Sequence, residues 1–242
     1  MIGPTLNRRR LAALIAATGG ATLGACAQIA DDDKVARGVG VAEVLTRTVQ
    51  RLILSPGQLA PEYRESEISK FFKPNGSTDP ESDAYVALRD AGFKDWKLEV
   101  IGLVEHPLSL SLDQLRAQPS RTQITRHDCV EGWSAIGGWT GVPLRAFLER
   151  VGADLRAKYV AFKTADDYPS SIDMATALHP QTLLATQYAG ETLADPFGYP
   201  LRLRMSTKLG YKNPKWITAM EVTNIYPGGF WEEKGFPWFA GI

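Results

Sequence analysis

The N-terminal 25 residues limit which part of this 242-residue chain can fold. Three consecutive arginines, Arg8 to Arg10, precede a run of apolar and small residues over 11–25 that is short for a membrane span. A basic start, a short apolar centre and small residues at the end are typical of a cleaved export signal. The adjacent arginines resemble a twin-arginine signal, so we expect residues 1–25 to be removed and the remaining chain to fold.

The end of this segment leaves two alternatives open. Residues 23–26 resemble a lipobox, in which Cys26 would be acylated and would anchor the protein to a membrane surface without spanning it. Cleavage at the competing site, Ala25-Cys26-Ala27, would discard Cys26 and release a free periplasmic protein. In either case, the charged run at 31–34 and the glycines that follow it predict a tether and N-terminal arm over residues 26–60.

Composition favours a globular α+β domain over residues 61–242. The chain is 44% hydrophobic and 10% aromatic, which is enough apolar material for a packed core. Its formal net charge is zero, so nothing indicates a nucleic-acid partner. Two cysteines cannot form a tetrahedral zinc site by themselves. Strand and helix patterns alternate irregularly, which predicts a single domain with a mixed β-sheet.

Local patterns place the elements of this domain. Asp79-Pro80 predicts the start of a helix over 80–91, and Ser111 with Gln114 forms a capping box. Apolar residues at helical spacing follow Pro143, and Asp173 opens a short helix to residue 178. Alternating or apolar runs predict strands at 96–104, 121–128, 158–164, 183–188, 200–205 and 216–223.

Cys129 is the one cysteine that remains in the predicted domain. A free cysteine is often a small buried hydrophobic residue, and this interpretation stays open. The alternative is a thiolate that binds a metal or attacks an electrophile. Arg126 and His127 would lower the pKa of the thiol, whereas Asp128 would raise it, so charge alone does not decide between the two.

Two motifs carry a resemblance to a known family. The segment CVEGWSAIGGWTGVPL, which begins at Cys129, and the segment GYKNPKW at 210–216 resemble the cofactor-binding segments of the sulfite oxidase family of molybdopterin enzymes. The likeness is greatest to its small exported bacterial branch, which includes the periplasmic methionine sulfoxide reductases, and it covers about residues 61–242. It implies an α+β, sulfite oxidase-type molybdopterin-binding fold in a single domain.

The resemblance also implies a site. Cys129 would supply a thiolate to the molybdenum of Mo-molybdopterin, a soft ligand for a sulfur-bound metal. Glu131 would either assist proton transfer near the metal or merely hold the backbone. Each of three basic residues also has an interpretation without a cofactor: Lys212 and Lys215 could be surface lysines, and Arg202 could face solvent from a strand. Arg126 and His127 lie beside the ligand and could touch the cofactor or the substrate. Residues that match family positions near the cofactor, or lie among them, are Ser69, Phe72, Lys73, Asn75, Thr164, Arg202, Lys212, Asn213 and Lys215.

Departures from the family pattern shape the expected function. Val130-Glu131-Gly132-Trp133 follows the cysteine where sulfite oxidases carry an arginine-rich sequence, which disfavours sulfite as substrate. Phe197 stands where reductases of this branch commonly have an asparagine. The chain ends before the dimerisation domain of the larger enzymes, so we expect a monomer.

The expected function is therefore an exported, molybdenum cofactor-dependent oxidoreductase. It would catalyse two-electron oxo transfer on a small S- or N-oxide. Because no haem-attachment motif is present, a separate cytochrome b or c would exchange the electrons. Two alternatives remain: a methionine sulfoxide reductase acting on periplasmic proteins, and a lipid-anchored binding module that keeps the fold without turnover.

Overall fold

Ten strands and four α-helices build the part of the chain that the structure, a computed structural model, describes, residues 57–242. The predicted signal peptide, Cys26 and most of the tether lie outside these residues. Short 3-10 turns occur at Glu65–Glu67, Asp195–Phe197, Gly210–Lys212 and Glu232–Lys234. The elements in chain order are α1 (Asp83–Asp90), β1 (Lys97–Gly102), β2 (Leu108–Ser111), α2 (Leu112–Arg116), β3 (Arg121–Asp128), β4 (Ser134–Pro143), α3 (Leu144–Arg150), β5 (Tyr159–Thr164), β6 (Ser170–Asp173), α4 (Met174–Ala177), β7 (Thr182–Tyr188), β8 (Glu191–Thr192), β9 (Arg202–Met205) and β10 (Ile217–Thr223).

These strands form two sheets. The first has the order β2-β1-β10-β5-β6 and is mixed, because β1 and β10 run parallel while its other pairs are antiparallel. The second has the order β3-β4-β7-β8, with β9 also paired to β7, and is antiparallel throughout. The predicted α+β class with a mixed sheet is confirmed.

Local sequence explains where the helices begin. The predicted capping box forms, since Ser111 Oγ accepts from the Gln114 amide while the Gln114 side chain accepts from the Ser111 amide. Helix α1 begins later than predicted, because Ser82 caps it and Asp79 Oδ1 accepts instead from the amide of Glu81. None of the described helices has the length and apolar character needed to cross a bilayer.

Strand β4 is absent from the predicted strands, and it contains three glycines, which weaken a strand pattern. In the structure β4 lies between β3 and β7, and its glycines lie where other segments of the same chain approach its backbone closely. A Cβ on Gly141 would lie 2.2 Å from the carbonyl oxygen of Leu184, and one on Gly137 would lie 2.8 Å from the Tyr188 ring. These glycines therefore permit strand pairing and packing rather than a turn.

The main apolar core joins both sheets. It is built from inward residues of β1, β5 and β10, from Leu144, Phe147 and Leu148 of α3, and from Leu203 and Met205 of β9. The spacing of the α3 residues matches the predicted helical periodicity. A second, smaller cluster centres on Trp139 and Phe72. The predicted cofactor site lies beside this second cluster, because Phe72 packs against His127.

Gly141→Ala should destabilise the fold, because the new methyl group would have to displace the β7 backbone. We expect the free energy of unfolding to fall by about 1–3 kcal/mol, the usual cost of overpacking. Urea denaturation followed by circular dichroism measures it. Gly57→Ala is the matched control, since a Cβ there meets nothing within 4 Å and should change stability by no more than about 0.5 kcal/mol. Equal stability of the two variants would contradict this account of β4.

Candidate functional site

Cys129 sits in the loop that joins β3 to β4. Pairing of the two strands continues to Asp128 and Ser134, so that residues 129–133 form the connection. The Cys129 amide donates to the Trp133 carbonyl at 2.9 Å, and the Gly132 amide donates to the Cys129 carbonyl at 3.1 Å. Gly132 has a φ of 86°, a left-handed conformation that favours glycine. This tight loop fixes the cysteine at the end of a rigid hairpin.

The cysteine opens into a large cavity. Its volume is about 660 Å³, which is within the range of small-molecule and cofactor sites. Only 8% of Cys129 is exposed, and burial raises the pKa of its thiol, while the backbone N–H groups of Glu131 and Val130 act in the opposite direction. Predicted site residues that line this cavity are Asn75, Cys129, Glu131, Asn213 and Lys215.

Strand alternation separates two neighbours that the sequence analysis grouped together. Successive side chains of β3 point to opposite faces, so His127 is fully buried on the side of Cys129 while Arg126 is exposed. Arg126 pairs with Asp128 at 3.0 Å and does not line the cavity. Burial, together with Arg204 and Arg202, lowers the pKa of His127 to about 2. His127 is therefore neutral and supplies no positive charge to the thiol, contrary to the sequence-based expectation.

The ring of His127 is buried next to aromatic rings, and its two nitrogens are unsatisfied in the described part of the chain. Within residues 57–242, neither of its ring nitrogens has a hydrogen-bond partner. Its ring lies 5.4 Å from Phe72 and 5.5 Å from Trp133, between ring centroids. A Cβ on Gly210 would lie 2.7 Å from His127 Nε2 and 3.4 Å from the Cα of Cys129. Unpaired buried nitrogens are costly, and here they suit a ligand that supplies polar atoms.

Strand β9 brings two arginines into the interior. Arg202 and Arg204 share one face of the strand and are fully buried, whereas Leu203 and Met205 join the apolar core. Both guanidinium groups lie over the Trp139 ring, at 4.7 and 5.7 Å from its centroid. Arg202 is therefore not on a solvent-facing strand surface.

The polar partners of these arginines are neutral. Arg202 donates to the Phe197 carbonyl and to Asn75 Oδ1, at 3.0 and 3.1 Å. Arg204 donates to the carbonyl of Arg126 at 2.7 Å and to the Thr125 hydroxyl at 2.9 Å. Burial lowers the pKa of each guanidinium to about 9, so both remain charged at neutral pH.

Lys215 is a third buried cation. Its ammonium donates to the carbonyl oxygens of Asn75 at 2.8 Å and Pro196 at 3.1 Å, and also to that of Ser77. Burial, assisted by Arg202, lowers the pKa of Lys215 to about 7. The alternative prediction that Lys215 is a surface lysine is therefore wrong. Positive charge held by neutral acceptors favours binding of an anionic group such as a phosphate.

Glu131 and Lys73 form an exposed ion pair beside the cysteine. Lys73 Nζ lies 2.8 Å from Glu131 Oε2, and this contact lowers the pKa of Glu131 and raises that of Lys73. The carboxylate also accepts from Trp133 Nε1 at 3.0 Å and from the Gly76 amide at 3.4 Å. Glu131 therefore ties the upstream loop to the cysteine loop.

The remaining predicted residues lie around the cavity rather than on its lining. Ser69 Oγ accepts from the Ile136 amide at 2.9 Å, and Thr164 Oγ1 accepts from the amide of Tyr168 at 2.9 Å. Phe72 packs beneath His127, as already described. Lys212 is buried, as the family match implied and unlike a surface lysine, and it forms an ion pair with Glu232.

Arg204 and several residues that line the cavity escaped the sequence analysis. Arg204 could have been found, because it lies two residues after Arg202 on a strand. The aromatic lining residues were not singled out, since three distant segments contribute them: Tyr168, Tyr211, Phe230, Trp231 and Phe236. Within residues 57–242, no group of three or more His, Cys, Asp or Glu residues could hold a metal ion. Any metal at Cys129 would therefore need ligands from a cofactor.

The comparison with protein families decides what this arrangement is. A family model described as the oxidoreductase molybdopterin binding domain matches residues 85–231. The chain belongs to this family. This molybdopterin oxidoreductase is therefore a molybdenum cofactor-dependent enzyme, and the predicted fold, cofactor and family are confirmed.

Relatives of the molybdopterin oxidoreductase include named reductases. It is 50% identical to YedZ1 of Azospira oryzae, provisionally named a protein-methionine-sulfoxide reductase subunit, over 92% of this chain and 83% of the relative. It is 32% identical to the protein-methionine-sulfoxide reductase catalytic subunit MsrP of Xanthomonas campestris pv. campestris, over 80% of this chain and 67% of that one.

A solved structure shares the fold. The sulfane dehydrogenase SoxCD of Paracoccus pantotrophus superimposes with a TM-score of 0.51 at 24% identity. The match covers 55% of this chain and 39% of the SoxCD chain. At this identity the similarity concerns the fold alone.

The residues present fit molybdopterin. Cys129 offers a thiol at the cavity, and the unpaired nitrogens of His127 lie beside it. Lys215 lines the cavity, Arg202 is buried beside it, and both donate hydrogen bonds to Asn75, a neutral residue. Their positive charge suits the phosphate of the pterin tail. These features agree with the family assignment on grounds independent of sequence similarity.

Lys215 should make the stability of the cofactor-free protein depend on pH. Its pKa is about 7 in the folded state against an ordinary 10.5, so between these values the unfolded state binds more protons. The free energy of unfolding should therefore rise as the pH increases from about 7 towards 10, by up to about 1.4 kcal/mol per pH unit.

Urea unfolding across this pH range, compared with Lys215→Met, measures the contribution. The variant lacks the titrating group but keeps both buried arginines, so its slope should be smaller. Identical slopes in the two proteins would contradict the buried, destabilised ammonium.

Proposed function

We propose that this molybdopterin oxidoreductase reduces sulfoxides, with methionine sulfoxide in periplasmic proteins as its substrate class. The observation that carries the proposal is the 50% identity to a named methionine-sulfoxide reductase subunit over 92% of the chain, with Cys129 placed on a cavity. The broader function, two-electron oxo transfer on a small S- or N-oxide, contains this one. The same relationship favours an enzyme over a binding module without turnover.

The chain's own residues divide the work at the site. Cys129 would hold the molybdenum, while Arg202, Lys215, Asn75 and His127 would hold the pterin. When bound, the cofactor would supply the two-electron oxo-transfer chemistry. Glu131 keeps Lys73 and Trp133 in place beside the thiol, and its lowered pKa favours this positioning role over proton donation at neutral pH.

Reduction of a sulfoxide to a sulfide consumes two electrons and two protons and releases water. The protons come from solvent, because the cavity is open at the Glu131 side, where the Lys73–Glu131 pair is exposed. The electrons would come from a separate cytochrome b or c, since the sequence contains no haem-attachment motif. The name of the Xanthomonas relative, a catalytic subunit, supports a two-component arrangement.

The charge around the cavity supports an uncharged substrate. Four carboxylates line it, against the single ammonium of Lys215 among the described lining residues: Asp79, Glu81, Glu131 and Asp166. Carboxylates at a cavity oppose the approach of an anion. A neutral sulfoxide is therefore favoured over sulfite, in agreement with the absence of an arginine-rich sequence after Cys129.

Cys129→Ser should abolish turnover and change the molybdenum site. The protein is produced in a host that makes molybdopterin and exports folded proteins. Wild-type protein should contain molybdenum and, once reduced, be reoxidised by methionine sulfoxide in a visible-absorption assay. The variant should be slower by at least about 100-fold, because the metal loses its protein ligand.

The controls separate the family from the substrate. Wild-type protein from a molybdopterin-deficient host should show no turnover. Dimethyl sulfoxide and trimethylamine N-oxide test the broader oxo-transfer function beside methionine sulfoxide. Reoxidation by an N-oxide but not by any sulfoxide would refute the proposed substrate class, and full molybdenum binding with unchanged turnover in Cys129→Ser would refute the role of the thiol.

We also propose that the protein is exported by the twin-arginine route and anchored through Cys26. The arginines at 8–10 and the lipobox-like residues 23–26 support this, although they lie outside the residues that the structure describes. Paired substitution of Arg8 and Arg9 by lysine should leave precursor in the cytoplasm. Cys26→Ser should prevent incorporation of labelled palmitate. Labelling that persists in Cys26→Ser would exclude the anchor, and export of the double lysine variant would exclude the route.

A further inference from the structure

We propose that an aromatic wall of the cavity is the subsite for the aliphatic side chain that carries the sulfoxide. This inference rests on the proposed function and adds the residues that would select the substrate. The aromatic wall consists of Tyr168, Tyr211, Phe230, Trp231 and Phe236, all of which line the same cavity as Cys129.

The rings of the aromatic wall form one continuous surface. Tyr168 lies 5.0 Å from Phe230, and Phe230 lies 5.5 Å from Trp231, between ring centroids. Trp231 in turn lies 4.8 Å from Phe236, which lies 5.9 Å from Tyr211. Each pair falls in the range of favourable aromatic contacts. The cavity therefore has one extended apolar side.

The hydroxyl groups of the wall are turned to the backbone. The Tyr168 hydroxyl donates to the carbonyl of Tyr211 at 2.8 Å, and the Tyr211 hydroxyl donates to that of Pro237 at 2.6 Å. Burial raises the pKa of Tyr168, so this residue stays neutral. These tyrosines consequently contribute apolar ring surface, rather than proton donors, to the cavity.

The C-terminal segment is held firmly in this position. The Phe230 amide donates to the Pro169 carbonyl at 2.9 Å, and the Phe236 amide donates to the Trp231 carbonyl at 3.0 Å. Glu232, between the wall residues, forms the buried ion pair with Lys212. Breaking a buried pair is costly, so the wall is a built surface and not a loosely packed tail.

The chemistry of the wall suits a methionine-like side chain. Phe230, Trp231 and Phe236 are each half-buried, so part of their apolar surface still meets water. Covering that surface with the aliphatic chain that carries the sulfoxide is favourable. The carboxylates that line the cavity disfavour an anionic ligand. The combination selects an uncharged, flexible, sulfur-bearing side chain.

The test compares a substrate that reaches the wall with one that is too small to cover it. N-acetylmethionine sulfoxide amide carries the full side chain without charge, whereas dimethyl sulfoxide carries only methyl groups. In the molybdenum-loaded protein, Phe236→Ala should raise KM for the first substrate about tenfold and change kcat little, because the ring contributes binding and not chemistry. KM for dimethyl sulfoxide should change by less than about twofold.

Two further variants keep the test decisive. Phe236→Leu retains apolar volume and should fold like wild type, with an intermediate rise in KM. Tyr226→Ala removes an aromatic ring from the same C-terminal segment that does not line the cavity, and it should leave both KM values unchanged. Molybdenum content and the visible spectrum verify that each variant is loaded.

Calorimetric titration of N-acetylmethionine sulfoxide amide separates the wall from the proposed reaction. Binding to wild type that weakens about tenfold in Phe236→Ala supports the wall, even if wild type fails to turn over, in which case only the proposed function fails. Turnover with equal KM for N-acetylmethionine sulfoxide amide in wild type and Phe236→Ala overturns the proposed role of the aromatic wall. Absence of binding, equal losses for both substrates, or preference for a cationic ligand overturns it as well.

Discussion

Buried positive charge that is hydrogen-bonded to neutral groups rather than to a carboxylate is the constraint on which this structure depends. Arg202 and Arg204 are fully buried and Lys215 nearly so, and they donate hydrogen bonds to carbonyl, amide and hydroxyl oxygens. Desolvation of such cations costs several kcal/mol each unless other groups compensate. The π-face of Trp139 offsets part of that cost. The rest is explained most simply by an anionic cofactor, for which the family assignment provides molybdopterin.

The cavity carries groups of two kinds. Lys215, Asn75 and Asn213 line it and would hold the cofactor, with Arg202 hydrogen-bonded to Asn75. Carboxylates and aromatic rings also line it and would meet a substrate. Cys129 lines the same cavity, fixed by the hairpin loop. One cavity can therefore hold an anionic cofactor while discouraging an anionic substrate.

Sequence patterns predicted much of the fold, because many of its signals are local. Strand β3, the helix after Pro143 and the capping box at Ser111 depend on neighbouring residues, and the structure has all three. Strand β4 could not be predicted, since its glycines make sense only beside β7. The charge of His127 was also out of reach, because its pKa depends on burial and on Arg202 and Arg204, more than 70 positions away.

The site was predictable only where a motif marked it. Cys129, Asn213 and Lys215 belong to recognisable segments, and the structure brings them to one cavity. The aromatic wall depends on contacts between residues far apart in the sequence, such as Tyr168 with Phe230 and Tyr211 with Phe236, which no local pattern reveals. Arg126 was predicted to be near the cofactor because it is close to Cys129 in the sequence. The alternation of side chains along β3 instead directs it to the exposed face.

The two-sided character of β9 has a consequence for how the chain finds its native pairing. Leu203 and Met205 face the apolar core while Arg202 and Arg204 face Trp139. Because side chains alternate, a slip of β9 against β7 by one residue would drive both guanidinium groups into hydrocarbon and expose the apolar pair to the cofactor region. Such a mispaired state is strongly unfavourable, so the alternation of charge and hydrocarbon specifies a single register for β9 against β7.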